Sequence, residues 1–255
     1  MLGVQSSLVQ FKLVNRQFDR QMQTFERLPQ VRRDLEYFEN KAPAVKSVDE
    51  LLKDRRLTEF VLKGFQLEER VDAKGFIRKI LTEDTEEPKA LVNRLNDPRF
   101  RQLAKALQGL AEGKAIFADP DARAAMVRAY KTNEFEKYQG EQAPGLREAL
   151  YFRREIGKME NIFQVIASKP LATVMRVALG LPEEFATLPA AQQKRFLDGR
   201  FDLEKLKDPK FLDRFLDRFL ANNDLRNNNA GSPYAMLFSP GPGLGVNLGP
   251  QGLII

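Results

Sequence analysis

The sequence predicts an all-α protein: a multi-helix domain built from two related helical units, followed by a tail rich in Gly, Pro and Asn. Apolar residues recur at helical spacing along most of the chain, which indicates amphipathic helices. Asp-Pro pairs recur as helix-start signals, because the carboxylate caps an N–H and Pro needs no N–H partner there. Tyr37-Phe38 returns as Tyr151-Phe152, 114 positions later (151 − 37), which predicts the two units.

In the first half, prolines and capping patterns divide the apolar pattern into successive helices. Ser47-Val48-Asp49-Glu50 has the spacing of a capping box and predicts a short helix from Val48 to about Lys53. Pro29 predicts the end of the first helix. The predicted helices cover 6–28, 31–40, 48–53, an apolar segment at 57–67 interrupted near Gly64, 73–81, 88–95, a helix from Asp97-Pro98 to Gly109 or Gly113, and one that begins at Asp119-Pro120.

The polar segment 140–145 predicts a linker, after which the pattern of the first half starts again. At the offset of 114 positions (162 − 48), Val48 corresponds to Ile162 and Leu67 to Leu181. The pair Asp97-Pro98 corresponds to Asp208-Pro209 at 111 positions (208 − 97), a drift that we assign to a loop. We interpret the similarity as an ancient duplication; the alternative is that two amphipathic segments share their apolar spacing by chance.

The second unit is predicted to contain helices that begin near Lys169-Pro170 and Leu181-Pro182, a helix at 189–197, and a helix at 211–220 with Phe and Leu every four residues. The last of these is expected to face the core. In the tail, Tyr234, Met236, Leu237 and Phe238 could dock on the body or on a partner. The predicted domains are residues 1–140 for the first unit with its N-terminal helix, 141–220 for the second unit packed on the first, and 221–255 for an extended or disordered tail.

Composition excludes several kinds of active site. The chain contains no Cys and no His, so disulfides, thiol nucleophiles and every His-based catalytic site are excluded. The remaining enzymatic alternatives are a pair of carboxylates, or Lys, Tyr and Ser chemistry, but carboxylates lie beside cations throughout the chain and single out no pair. The acidic cluster 83–87 could bind a metal ion, but it lacks the turn glycine of a calcium loop and is typical of a helix N-terminus. We therefore predict no catalytic, cofactor-binding or metal-binding residues, no cofactor, and no enzymatic activity.

The net charge is +6 with an isoelectric point near 9.4, which permits binding to nucleic acid. The basic residues are interleaved with acids, however, as on a solvated mixed surface. A basic nucleic-acid-binding regulator is therefore the alternative function, and duplex DNA binding without a steep salt dependence would count against it. No apolar run approaches the roughly 20 residues that span a bilayer, and the N-terminus lacks the pattern of a cleaved signal, so the default compartment is the cytoplasm.

Five segments together resemble the DUF1217 family, over roughly residues 20–220. They are Glu36-Tyr37-Phe38, Ser47-Val48-Asp49-Glu50-Leu51-Leu52, Asp54-Arg55-Arg56-Leu57, Gly75-Phe76-Ile77-Arg78-Lys79-Ile80-Leu81, and Leu91-Val92-Asn93-Arg94-Leu95-Asn96-Asp97-Pro98-Arg99-Phe100. Members of this family occur in alphaproteobacteria, commonly encoded among flagellar genes, and the family offers no established site residues. The resemblance implies a flagellum-associated protein, so the expected location is cytoplasmic or flagellum-associated. Together with the lack of a catalytic constellation, it predicts a non-enzymatic interaction protein that acts in flagellar assembly, export or regulation through protein partners, with helical faces and the tail as contact surfaces.

Overall fold

The computed structural model describes residues 6–95 and 97–229, with side chains to residue 227. Within these residues the chain forms fourteen α-helices and six short 3-10 helices, and no strand. This architecture confirms the prediction of an all-α protein. The α-helices are α1 (Ser7–Arg16), α2 (Phe18–Glu26), α3 (Pro29–Lys41), α4 (Val48–Lys53), α5 (Arg55–Lys63), α6 (Lys74–Thr82), α7 (Leu91–Arg94), α8 (Pro98–Ala111), α9 (Pro120–Gln142), α10 (Leu146–Glu155), α11 (Ile162–Ala167), α12 (Lys169–Ala178), α13 (Ala190–Leu197) and α14 (Pro209–Asn229).

The predicted N-terminal helix at 6–28 is two helices, which corrects the prediction. The backbone leaves the helical region at Gln17, with φ −123° and ψ 30°. The break turns α2 so that the rings of Phe18 and Phe25 both pack edge-on against Phe135 of α9, at 5.4 and 5.7 Å. Pro29 does not end this segment but begins α3, at a helical position where its missing N–H costs nothing.

Each Asp-Pro pair caps a helix, as the sequence predicts. The N–H of Arg99 donates to Oδ1 of Asp97 at 3.0 Å, and Pro98 is the first residue of α8. The carboxylates of Asp119 and Asp208 cap α9 and α14 in the same way. These pairs start helices and carry no chemistry of their own.

The two units share backbone geometry at the predicted offset of 114 positions. The 3-10 helix Ala42–Ala44 matches the 3-10 helix Ile156–Lys158, and α4 and α11 begin at Val48 and Ile162. The caps match as well, because Ser47 accepts from an N–H three residues ahead and Asn161 does the same. These correspondences are the geometric basis for interpreting the sequence repeat as a duplication.

In both units a residue with left-handed backbone follows the helix end, Gln66 after α5 and Gly180 after α12. Gln66 has φ 57° and Gly180 has φ 70°. The N–H of the next residue donates to a carbonyl in the last turn of the helix: Leu67 donates to Leu62, and Leu181 donates to Arg176. Gly adopts this conformation freely, whereas a residue with a Cβ is strained there. Gln66 is therefore held by its side-chain contacts, which are described below.

The predicted pairing of Asp97-Pro98 with Asp208-Pro209 is wrong. A 3-10 helix at Lys205–Lys207 leads into α14, and the equivalent arrangement in the first unit is the 3-10 helix Ile116–Ala118 leading into α9. The packing of these 3-10 helices agrees. In the first unit Ala42–Ala44 packs against Ile116–Ala118, and in the second unit Ile156–Lys158 packs against Lys205–Lys207. Asp119 is therefore the counterpart of Asp208, and α7 and α8 are an addition that the second unit lacks.

Half of the predicted linker at 140–145 is helix. Residues 140–142 are the end of α9, and only a corner at Gly145, with φ 82°, separates it from α10. The helices α9 and α10 pack together, and the buried apolar side chains of both units form one core. The units are therefore joined by a tight turn and not by a tether.

The predicted tail begins too early, at residue 221. The helix α14 continues for nine further residues, to Asn229. Tertiary contacts hold this last part: Asn222 donates to the Val177 carbonyl at 2.9 Å and Arg226 to the Leu181 carbonyl at 3.0 Å. The rest of the predicted tail, with its apolar residues 234–238, lies outside the described residues. Among the described helices, none is both long and apolar enough to cross a membrane.

Substituting Gly180 with Ala tests the left-handed helix end. We expect Gly180→Ala to lower the free energy of unfolding by about 1–2 kcal/mol, because an added Cβ contacts nothing but the backbone becomes strained. Gly157→Ala is the matched control, because an added Cβ there also contacts nothing and the backbone is not left-handed. Urea unfolding of both variants measures the difference; equal stability would contradict the assigned strain.

Candidate functional site

A groove of about 780 Å³ lies between the added helices α7 and α8 on one side and α10–α12 on the other. We call it the central groove. Val92 of α7 and Leu171 of α12 form a buried apolar floor, and Leu95 and Met159 are partly buried beside them. The groove exists because α7 and α8 have no counterpart in the second unit, so their outer surface meets helices of a different unit.

The walls of the central groove are polar and carry both charges. Arg101 and Gln102 line the α8 side, whereas Lys158, Glu160 and Gln164 line the opposite side. A surface with an apolar floor and charged walls is suited to binding an amphipathic segment of another protein. It offers apolar contact area together with polar groups that fix orientation.

An ion pair with a buried carboxylate adjoins the groove. Arg154 of α10 donates two hydrogen bonds to the carboxylate of Glu136 on α9, at 2.7 and 3.1 Å. The same guanidinium bonds Glu155, whose carboxylate also accepts from Lys158 at 2.9 Å. Because Glu155 and Lys158 line the groove, this chain of contacts connects the groove wall to the junction of the two units.

The left-handed residue Gln66 closes the other end of this network. Its amide donates to Asn133 at 3.3 Å and to Glu136 at 3.2 Å. Its backbone carbonyl accepts a bond from Arg99, which also pairs with Asp97. We call the group formed by Gln66, Asn133, Glu136 and Arg154 the polar junction. It links the turn after α5 to α9 and α10, and Arg99 connects this turn to α8. The strained backbone at Gln66 is therefore compensated by side-chain bonds.

The pKa values of Glu136 and Tyr151, near the groove, are shifted from their ordinary values. Burial raises the pKa of Glu136, and the hydrogen bond and charge of Arg154 oppose this shift. Burial also raises the pKa of the Tyr151 hydroxyl, with the charge of Glu155 acting in the same direction. Both shifts arise from packing and pairing at the junction of the units.

The acidic cluster at 83–87 serves the fold. Glu83 accepts a bond from the N–H of Leu91, so its carboxylate sits at the start of α7, and it also lies 3.6 Å from Lys79. Glu86 lies between the cations of α8, within 4.0 Å of Arg101. No group of carboxylates within residues 6–95 and 97–229 is arranged to hold a metal ion.

The sequence contains three pairs of adjacent arginines, Arg32-Arg33, Arg55-Arg56 and Arg153-Arg154, and their side chains are engaged within the fold. Arg55 pairs with Asp72, Arg153 with Asp213, and Arg154 with the polar junction. The other members also find partners: Arg32 lies near Glu36, Arg33 bonds Gln30, and Arg56 pairs with Asp34. These contacts are those of a mixed charged surface.

Sequence reasoning named no residue as a functional site, and it missed both the central groove and the polar junction. One signal was available in the left-handed end of α5. The alignment at 114 positions places Gln66 opposite Gly180, and a Gln at a Gly position indicates a side chain held by other contacts. The groove itself had no local signal, because its two walls come from different units.

Comparison with known proteins shows what this chain is similar to. No curated protein sequence matches it. The crystal structure of protein AGR_C_984 from Agrobacterium tumefaciens superposes with a TM-score of 0.76 at 29% identity, over 87% of this chain and 94% of that chain. Residues 64–212 match the family described as protein of unknown function, DUF1217, so the resembling segments at 36–57 lie before the matched range. Because the match spans more than half of the 255 residues, this chain belongs to the DUF1217 family.

Proposed function

We propose that the protein is a non-enzymatic interaction protein and that it binds a protein partner through the central groove. The observation that carries this proposal is the groove itself, with its apolar floor at Val92 and Leu171 and its charged walls. It lies entirely within the family-matched residues, between positions 88 and 171. The partner is expected to present an amphipathic segment that pairs apolar side chains with the floor.

We propose further that the partner is a flagellar protein, so that this chain acts in flagellar assembly, export or regulation. The support for this step is the family, whose members are commonly encoded among flagellar genes. The polar junction fits the proposal, because together with the bond from Arg99 to Gln66 it connects α8 to α10, which lie on opposite walls of the groove. A groove with fixed walls binds without a large ordering cost.

The second candidate, a nucleic-acid-binding regulator, rests on the net charge of +6. The pairing of Arg55, Arg153 and Arg154 with acids leaves these cations less free to contact phosphates. Titration with duplex DNA at several salt concentrations separates the two candidates, because phosphate contacts give a steep loss of affinity with salt.

Blocking the groove tests the function in cells. Deletion of the gene is expected to reduce filament number and swimming, and a copy with Ala167→Trp is expected not to restore them. Ala167 is the exposed last residue of α11 and lines the groove, so a Trp there occupies the binding space. Ala111→Trp is the control, because Ala111 is the exposed last residue of α8 and does not line the groove.

Motility assays and filament counts of the deletion strain with each copy give the answer. Both substitutions are at exposed positions, so both proteins are expected to fold with stabilities within about 0.5 kcal/mol of the parent. Normal motility of the deletion strain would contradict a flagellar role. Full restoration of motility by the Ala167→Trp copy would contradict the groove as the contact surface.

A further inference from the structure

The second unit exposes a helix face that the first unit covers. The helices α6 and α13 begin 116 positions apart (190 − 74). In the first unit α6 packs against α4, and in the second unit α13 packs against the equivalent helix α11. At that offset the buried residues match, with Ile77 corresponding to Gln193 and Leu81 to Leu197. The two helices therefore occupy equivalent places.

In the first unit this place is covered by α8. Phe76 and Ile80 lie one turn apart on the same face of α6. The ring of Phe76 packs edge-on against Phe100 of α8 at 5.2 Å, and Ile80 is fully buried. The corresponding residues of α13 are Gln192, which is exposed, and Phe196, which is 39% exposed. The second unit lacks a helix equivalent to α8, and its α13 stays open.

The exposed residues on this face of α13 are Gln192 and Phe196, which lie one turn apart. The ring of Phe196 packs on one side against Phe185 at 5.4 Å, and the rest of the ring is accessible. We call Gln192 and Phe196 the open face.

Two cations flank the open face. The Arg200 guanidinium lies 4.1 Å above the ring of Phe196, and Arg195 is its neighbour in the chain. Neither pairs with a carboxylate among the described residues, although most of the other arginines discussed above do. A face with an exposed aromatic ring and two guanidinium groups is complementary to a partner that combines apolar and acidic side chains.

We propose that the open face binds an acidic amphipathic helix of a partner protein. A helix is expected because α8 covers the equivalent face with one, and it presents apolar residues at intervals of three and four. An acidic helix is expected because of Arg195 and Arg200. Residues 230–255 are the competing occupant, but their side chains carry no charge and would leave both cations unpaired. This surface is separate from the central groove, so its test is independent of the proposed function.

A designed peptide serves as the probe. It has the sequence of α8, residues 98–111, with Arg99→Glu, Arg101→Glu and Lys105→Glu, and the unmodified α8 peptide is the control probe. Fluorescence anisotropy with the full chain is expected to show the acidic peptide binding about tenfold more tightly than the control peptide. The chain variants Phe196→Ser and Arg195→Glu with Arg200→Glu are each expected to weaken binding about tenfold, whereas Arg32→Glu, at a distant exposed site, is not. Equal binding of the two peptides, or no effect of these variants, overturns the proposal.

Thiol labelling decides between the occupants. Because the chain has no Cys, Gln192→Cys introduces a single reactive thiol on the open face, and Lys53→Cys places one at an exposed position of α4 as control. In the full chain alone, maleimide is expected to modify position 192 as fast as position 53, and the acidic peptide is expected to slow modification only at 192. Slow modification at 192 without peptide means that residues 230–255 cover the face. Slowing with protein concentration means that a second copy covers it. Either result overturns the proposal.

Discussion

Replacing Arg154 with Ala is expected to lower the free energy of unfolding by about 3–5 kcal/mol. The guanidinium makes two hydrogen bonds to Glu136, which is only 4% exposed, and removing it leaves a buried carboxylate without its cation. A buried charge without a partner is far more costly than a broken surface pair. Urea unfolding followed by circular dichroism measures the loss.

The loss is expected to depend on pH. Burial raises the pKa of Glu136 in the folded chain, so the folded state holds this proton more tightly than the unfolded state. Stability from this group is therefore highest below the ordinary value of 4.5 and falls as the pH rises to the folded pKa. Without Arg154 the folded pKa rises further, so the Arg154→Ala variant is expected to be weakest at about pH 8 and closer to the parent at about pH 5.

Two further variants test this electrostatic cause. Adding Glu136→Gln to Arg154→Ala removes the buried charge, so the double variant is expected to be more stable than Arg154→Ala at about pH 8. Arg55→Ala removes one partner of the exposed pair with Asp72 and is expected to leave stability unchanged. A double variant no more stable than the single one would refute the electrostatic account.

The second large effect is expected from Phe60→Ala, which should cost about 3–5 kcal/mol. Phe60 is 3% exposed and stacks between two rings, with Phe38 at 4.3 Å and Tyr130 at 4.0 Å. Truncation leaves a cavity between these rings and removes both stacking contacts. Thermal or urea unfolding measures the loss, with Phe163→Ala as a control at a Phe that is 45% exposed.

Phe60→Ala also has an optical signature. Burial is the main cause that raises the pKa of the Tyr130 hydroxyl, and its bond to the Asp34 carboxylate at 3.0 Å adds to the shift. A cavity beside the ring admits water, so the pKa of Tyr130 is expected to move back toward its ordinary value. Absorbance titration of phenolate, with Tyr130→Phe to assign the signal, reports this change. An unchanged titration together with a small stability loss would show that the stack is not a central part of the core.

Local signals in the sequence predicted much of the fold. The capping pattern at Ser47 predicted α4 with the bounds that the structure shows, because the cap is made by atoms three residues apart. The break at Gln17 had no such signal, since it is set by the packing of Phe18 and Phe25 on a ring of α9. Local chemistry predicts where helices start, and tertiary contacts decide where they bend.

The Asp-Pro pairs show why the topology was harder to predict. The same cap starts α8, α9 and α14, so the sequence around Asp97 could be paired with Asp208 although Asp119 is the structural counterpart. The central groove depends on this distinction, because it forms where the added helices α7 and α8 meet the second unit. Its position follows from the topology of the two units and not from any motif.

Photocrosslinking in flagellated cells tests the central claim most directly. A photoreactive amino acid at Gln164, exposed on the groove wall, is expected to give one discrete adduct with a flagellar protein, identified by mass spectrometry. The adduct is expected to disappear in the Ala167→Trp background and to remain in the Ala111→Trp background. The same photoreactive group at Lys53, on α4 away from the groove, is expected to give no such adduct. No adduct from Gln164, or the same adduct in the Ala167→Trp background, would contradict the assignment of the groove as the binding surface.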